Sequence, residues 1–218
     1  MRQRDVVKAL LDSYGRTFTQ EADIRLRDTP QPLYQLLVLS LLLSARIRSG
    51  TAIDAARTLI DAGMRDPRRM AAATWQERVD ALGRGGYRRY DERTATQLGD
   101  GAELVTREWR GDLRRLRAEA DGDVQALRRL LRRVPGIGPT GADIFLREAQ
   151  DLWPEAAPYL DEKALQGARR LGLPAAPDAL ARLAGDSGTA VFAAALVRAA
   201  LDKKVADEVV RTADAEAE

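Results

Sequence analysis

Apolar residues recur along almost the whole chain at helical spacing, and no stretch alternates as a half-buried strand would. The pattern predicts helices over 3–14, 33–47, 49–63, 66–73, 74–86 and 87–109. Another reaches Val134, and a further one starts at Pro139. A loop and a short helix follow in "WPEAAPYLDEKALQGARRLGLP", and an Ala-rich helix lies near 189–201. The run "LLVLSLLLSA" (36–45) is apolar almost all round, which marks a central buried helix. It is too short for a bilayer, which takes about 20 residues.

Local signals punctuate this pattern. Asp28-Thr29-Pro30 breaks the chain and is placed to cap the next helix. Thr74 and Glu77 form a capping box, and Asp121 or Asp123 caps the helix before Val134. The acidic, Ala-rich tail from Asp207 is expected to fray. No repeat or low-complexity linker interrupts the 218 residues. The reading is an all-α fold, as one large domain or two lobes sharing a core.

The stretch "LLRRVPGIGPTGADIFL" (130–146) carries the most information. Val124, Leu127, Leu131 and Val134 form one stripe before the turn, and Ala142, Ile144 and Phe145 supply a face after it. Pro135 ends the first helix, and Gly136 and Gly138 permit positive φ at the corner. Pro139 suits the first turn of the next helix, and Gly141 lets the two helices approach. Bare glycine N–H groups at a helix N-terminus attract phosphate, and Arg132 and Arg133 flank them. A plain αα-corner would need none of these arginines.

Composition narrows the chemistry. The formal charge is only +2, but arginines cluster at Arg128, Arg129, Arg132 and Arg133, and again at Arg84, Arg88, Arg89 and Arg93. There is no Cys and no His. Disulfides, thiol nucleophiles, zinc–cysteine sites and cysteine-held iron–sulfur clusters are therefore excluded. "GDSG" (185–188) cannot belong to a Ser-His-Asp triad and reads as a turn before the Ala-rich helix. The N-terminus has no apolar signal region, so a soluble intracellular protein is expected.

"VPGIGPTGADIFL", followed by Asp161 in "YLDEKALQGARRLGL", resembles the helix–hairpin–helix DNA glycosylases of the endonuclease III superfamily. Their hairpin has the form L-P-G-[IV]-G-x-[KST]-[TA]-A. "PLYQLLVLSLLLSARIRS" is similar to the family's long buried helix, and "LGRGGYRRYDERTATQL" to a segment that follows it. The likeness spans about 30–175. It implies two helical lobes with DNA between them: a six-helix barrel over 30–150 ending in the hairpin at about 123–150, and a second lobe joining 1–29 to 151–218. It also implies an enzyme that flips a damaged base and cleaves its N-glycosidic bond.

Under that resemblance Asp161 is the catalytic carboxylate, although its place before a helix reads equally as an N-cap. The DNA contacts implied are Gly136, Ile137, Gly138, Thr140 and Gly141 of the hairpin, with Arg132, Arg133, Arg46 and Arg88. Thr140 stands where bifunctional members carry the Schiff-base lysine, so β-lyase chemistry is not expected. Lys163 could be offered as a substitute amine, but reads as a solvated lysine. Arg46 replaces the family's duplex-wedging glutamine, and the four cluster-holding cysteines are missing.

The expectation is a monofunctional base-excision glycosylase, a hydrolase with no cofactor beyond a monovalent cation that the hairpin could hold, and no other metal. It would act as a monomer on double-stranded DNA with a damaged or mismatched base, in the cytoplasm at the nucleoid and away from membranes. The alternative is a helix–hairpin–helix DNA-binding protein that has lost catalysis. Tyr87, Tyr90, Arg88 and Arg89 either line a base pocket or pack as a helix start, and Trp75, Trp109 and Trp153 are expected in the core.

Overall fold

The computed structural model describes residues 3–215 and is all-α among them. In chain order the helices are α1 (Gln3–Tyr14), α2 (Phe18–Glu21), α3 (Pro30–Leu43), α4 (Ser49–Asp61), α5 (Pro67–Ala72), α6 (Trp75–Arg84) and α7 (Asp91–Trp109). Then come α8 (Leu113–Glu119), α9 (Val124–Leu131), α10 (Pro139–Ala149), α11 (Glu162–Arg170), α12 (Pro177–Ala184), α13 (Thr189–Leu201) and α14 (Lys203–Ala215). They form two compact units: a first over 19–145, and a second combining the residues up to 18 with those from 146. The boundaries fall inside α2 and α10.

In the first unit α3 is buried along nearly its whole length, as its apolar run predicts, and packs with α4 and α8. α7 packs with α5 and α6. Arg78 is buried between these helices and donates to the carbonyls of Ala95 (2.8 Å), Met70 (2.9 Å) and Ala73 (2.6 Å). Three carbonyls compensate the desolvated guanidinium, two of them near the negative end of α5. Gly99 makes the space, since a Cβ there would stand 2.7 Å from the Arg78 guanidinium.

Local signals set several helix starts. Thr74 and Glu77 close both bonds of the capping box. Asp123, not Asp121, caps α9 by accepting from the Gln125 N–H at 2.7 Å, while Asp121 takes a left-handed φ of 49°. Thr29 makes no side-chain cap bond; Pro30 and Pro32 begin α3 without one. α3 ends at Leu43, short of the predicted 47, and α7 begins at Asp91, not 87, because Gly86 at φ 79° turns the chain first. The short helices α2, α8 and α12 have no counterpart in the sequence reading.

In the second unit α11 crosses α13 at Gly167, where a Cβ would overlap the Leu196 carbonyl oxygen. Ala164 and Ala168 flank that crossing, and α13 is rich in buried alanines. The tail is corrected: α14 buries Ala206, Val209 and Ala213, and Tyr14 donates to Glu208 at 2.8 Å, so packing against α1 holds it through Ala215. "GDSG" is the turn before α13, and Asp151 accepts there from the Ala190 N–H at 3.3 Å. Among the described residues no single helix is long and apolar enough to cross a membrane.

Candidate functional site

The hairpin turn, with α9 and the start of α10 up to Phe145, lies in the first unit. Leu127, Leu131 and Val134 before the turn, and Ala142, Ile144 and Phe145 after it, are buried, while Val124 is half-buried. Arg128 ties the two helices together by donating to Asp143 at 2.9 Å. The Ile137 N–H closes the turn on the Val134 carbonyl (3.0 Å).

The two central glycines differ. Gly136 has φ 87°, and a Cβ there would come within 2.6 Å of Leu41 Cδ1. Gly138 does not take positive φ, which corrects the sequence expectation, and a Cβ there would meet nothing within 4 Å. One left-handed residue is enough to reverse the chain. No internal packing requires glycine at 138, at the exposed start of α10. Among the described residues nothing accepts from the N–H of Gly138 or Thr140. Ile137 is different: its side chain is buried under the turn near Gly141, and its N–H is spent.

Beside Gly136 opens a recess of about 400 Å³. Arg46, just beyond the end of α3, and Arg93 of α7 supply its positive charge. Tyr87, Tyr90, Thr94 and Gln97 line it with Leu41, and among the described residues no carboxylate does. Tyr87 is buried and shares a hydrogen bond with Thr94 (3.2 Å). Burial pushes its phenol above the ordinary tyrosine value, so it is neutral at physiological pH. Tyr90 carries the Arg89 guanidinium 5.3 Å from its ring centroid.

No protein-family profile and no curated protein matches the chain. Among solved structures the chain is similar to a trapped endonuclease III–DNA covalent intermediate in an estranged-adenine complex. The TM-score is 0.47, with 14% identity over 90% of this chain and 85% of that one.

The structure thus gathers Arg46, Tyr87, Tyr90 and Gly136 at one recess, and adds Arg93, Thr94 and Gln97, which were not singled out as site residues. The missed signal is spacing: 90, 93, 94 and 97 share one face of a helix. Arg88 lies apart, in a separate depression with Asp80, Arg84 and Asp91. Arg133 is committed internally, donating to Glu108 (2.9 Å), pairing with Glu119 (3.6 Å) and stacking over Trp109. Hydrogen bonds from Arg107 and Arg133 hold the Glu108 carboxyl below the usual carboxylate range. Arg132 and Arg46 are exposed and form no ion pair among the described residues. Trp109 and Trp153 are buried, but Trp75 is 41% exposed because its indole N–H reaches the α7 groups Glu92 O and Thr96 Oγ1.

Asp161 belongs to the second unit. It is the N-cap of α11: Oδ1 accepts from the Ala164 N–H at 3.0 Å. Oδ2 accepts from Arg147 Nη1 at 2.5 Å. The aspartate side chain is 10% exposed and the arginine 3%. Gln150 braces the approach to Asp161, donating to the carbonyls of Arg147 (2.9 Å) and Tyr159 (3.1 Å) and accepting from the Tyr159 N–H (2.7 Å). A carboxylate has about four lone-pair sites, so this one keeps acceptor capacity. Lys163 is exposed and donates to Gln166 at 2.9 Å, as a solvated lysine does.

Proposed function

We propose that the chain binds duplex DNA through its hairpin and the recess beside Gly136, flips one base, and hydrolyses that base's N-glycosidic bond with Asp161 as the carboxylate. The observation that carries this reading is the recess itself. Two arginines, two tyrosines and an amide meet at a glycine turn with no opposing carboxylate among the described residues. Arginines draw in phosphate, and the half-buried Tyr90 ring offers a surface for a base, while Tyr87 is buried beneath it as support. The volume exceeds that of a single base and lies in the range of small-ligand sites. Arg46 fills the gap a flipped base leaves in the stack.

In the proposed reaction, water forms a bond to C1′ of the sugar as the C1′–N bond breaks, and the base leaves with the electron pair and takes up a proton. Asp161 faces the positive charge that develops on the sugar. Thr140 cannot form an imine, so the strand is not cut by β-elimination through that position.

The test incubates the protein with duplexes carrying uracil, an oxidised pyrimidine, an alkylated purine, a mismatch or an abasic site. One damaged or mismatched duplex is expected to break only after hot alkali, and Asp161→Asn to abolish the break while leaving binding intact. Binding with no alkali-sensitive break on any duplex refutes the glycosylase. A second reading, DNA binding without catalysis, is favoured by one observation: both Asp161 oxygens are already hydrogen-bonded. The same panel separates the two.

A further inference from the structure

We infer that Arg147 is a positioning residue for Asp161, fixing the orientation from which the carboxylate meets the sugar. The inference rests on the reading of Asp161 as the glycosylase carboxylate. Three observations carry it.

The first is that the pair exceeds what a helix cap requires. Asp66, Asp112 and Asp123 also cap helices, and their arginine partners (Arg69, Arg114 and Arg129) are 61%, 45% and 66% exposed. The guanidinium on Asp161 is 3% exposed. A buried arginine is costly to place, and capping α11 needs only the bond to Ala164.

The second is that Arg147 leaves its own Nε buried without an acceptor. A side chain kept for stability alone would be better replaced by an apolar one of similar volume. Unpaid local cost of this kind is characteristic of functional sites.

The third is the brace. Gln150, one helical turn beyond Arg147, holds Tyr159 through both its N–H and its carbonyl. The residue two before Asp161 is thereby locked to the helix that carries Arg147. With the segment fixed by Gln150 and the oxygens fixed by Ala164 and Arg147, the carboxylate need not reorient as charge develops. That preorganisation is the electrostatic requirement of such a site.

The test uses binding and needs no turnover. Two duplexes carry abasic-site analogues: a pyrrolidine, protonated where the sugar cation would form, and a neutral tetrahydrofuran. The ratio of their Kd values reports how well the carboxylate meets a cation. The wild-type protein is expected to prefer the pyrrolidine by about a hundredfold, at the lower end for transition-state mimics. Asp161→Asn removes the preference. Arg147→Met, similar in length but uncharged, brings the ratio close to that of Asp161→Asn while leaving tetrahydrofuran affinity unchanged. Arg147→Lys keeps an intermediate ratio, since an ammonium restores the charge without the planar fork.

A wild-type ratio in Arg147→Met overturns the inference. So does a higher one, because the guanidinium would then be opposing the carboxylate. If Arg147→Met does not fold, as judged by circular dichroism, an unchanged ratio in Arg147→Lys overturns it instead. A wild-type ratio of unity with DNA binding retained sinks the role of Asp161, and the inference with it. A high wild-type ratio that ignores Arg147 sinks the inference alone.

Discussion

Gly136 and Gly138 stand two residues apart in one turn, yet the surrounding chain requires only the first. At Gly136 alanine would carry a left-handed penalty of about 1–2 kcal/mol. It would also press on Leu41, adding about 1–3 kcal/mol of overpacking. Gly136→Ala is therefore expected to lower the melting temperature clearly. Gly138→Ala is expected to change stability by less than about 1 kcal/mol. It should still weaken DNA binding, because its methyl group stands where a phosphate would approach the N–H groups. Equal DNA affinity in wild type and Gly138→Ala would count against a hairpin clamp. Thr140 carries a separate outcome: borohydride is expected to trap no adduct with abasic DNA. An adduct lost in Lys163→Ala would reverse the assignment of that lysine. The glycine spacing was legible in the sequence, but their φ angles were not, because these depend on how Ile137 closes the turn on Val134.

Among the helices, the sequence reading succeeded where a run was long or a cap strongly encoded. It failed on α2, α8 and α12, which have four, seven and eight residues, because tertiary packing stabilises helices this short. The α11–α13 crossing depends on Gly167, and Gly167→Ala is expected to cost at least about 1–3 kcal/mol in urea unfolding. The start of α8 predicts an acid dependence. A hydrogen bond from Arg114 holds the Asp112 carboxyl below its ordinary value. A depressed folded-state value contributes stability that is complete above the ordinary aspartate range near pH 4 and is lost as pH falls below it. Asp112→Asn should therefore lower the urea midpoint at neutral pH and converge with wild type well below about pH 4, which flattens part of the acid limb.

For the molecule as a whole, a net charge of +2 and the absence of histidine set the solution behaviour. If the recess holds DNA, affinity is expected to be flat between about pH 6 and 8, where only histidine ordinarily titrates among side chains. Affinity should fall steeply with salt. Arg46→Ala and Arg93→Ala should each reduce the log–log salt slope by about one if each meets a phosphate. Arg133→Ala should leave the slope unchanged, because its charge is already taken by Glu108 and Glu119. Filter binding across a salt series measures all three, and a slope change only in Arg133→Ala would displace the recess as the contact surface.

The sequence by itself determined the helical class, the central buried α3, the hairpin and the absence of cysteine and histidine chemistry. Each follows from periodicity, turn residues or composition, which act over a few neighbouring positions. Tertiary structure decided the rest. Residues 46, 87, 90 and 136 met only because α3, α7 and the turn pack together. Of the two hairpin arginines, it left Arg132 outside any ion pair among the described residues and bound Arg133 to acidic partners. It also placed a buried guanidinium against Asp161, a contact between residues fourteen apart that no local pattern encodes.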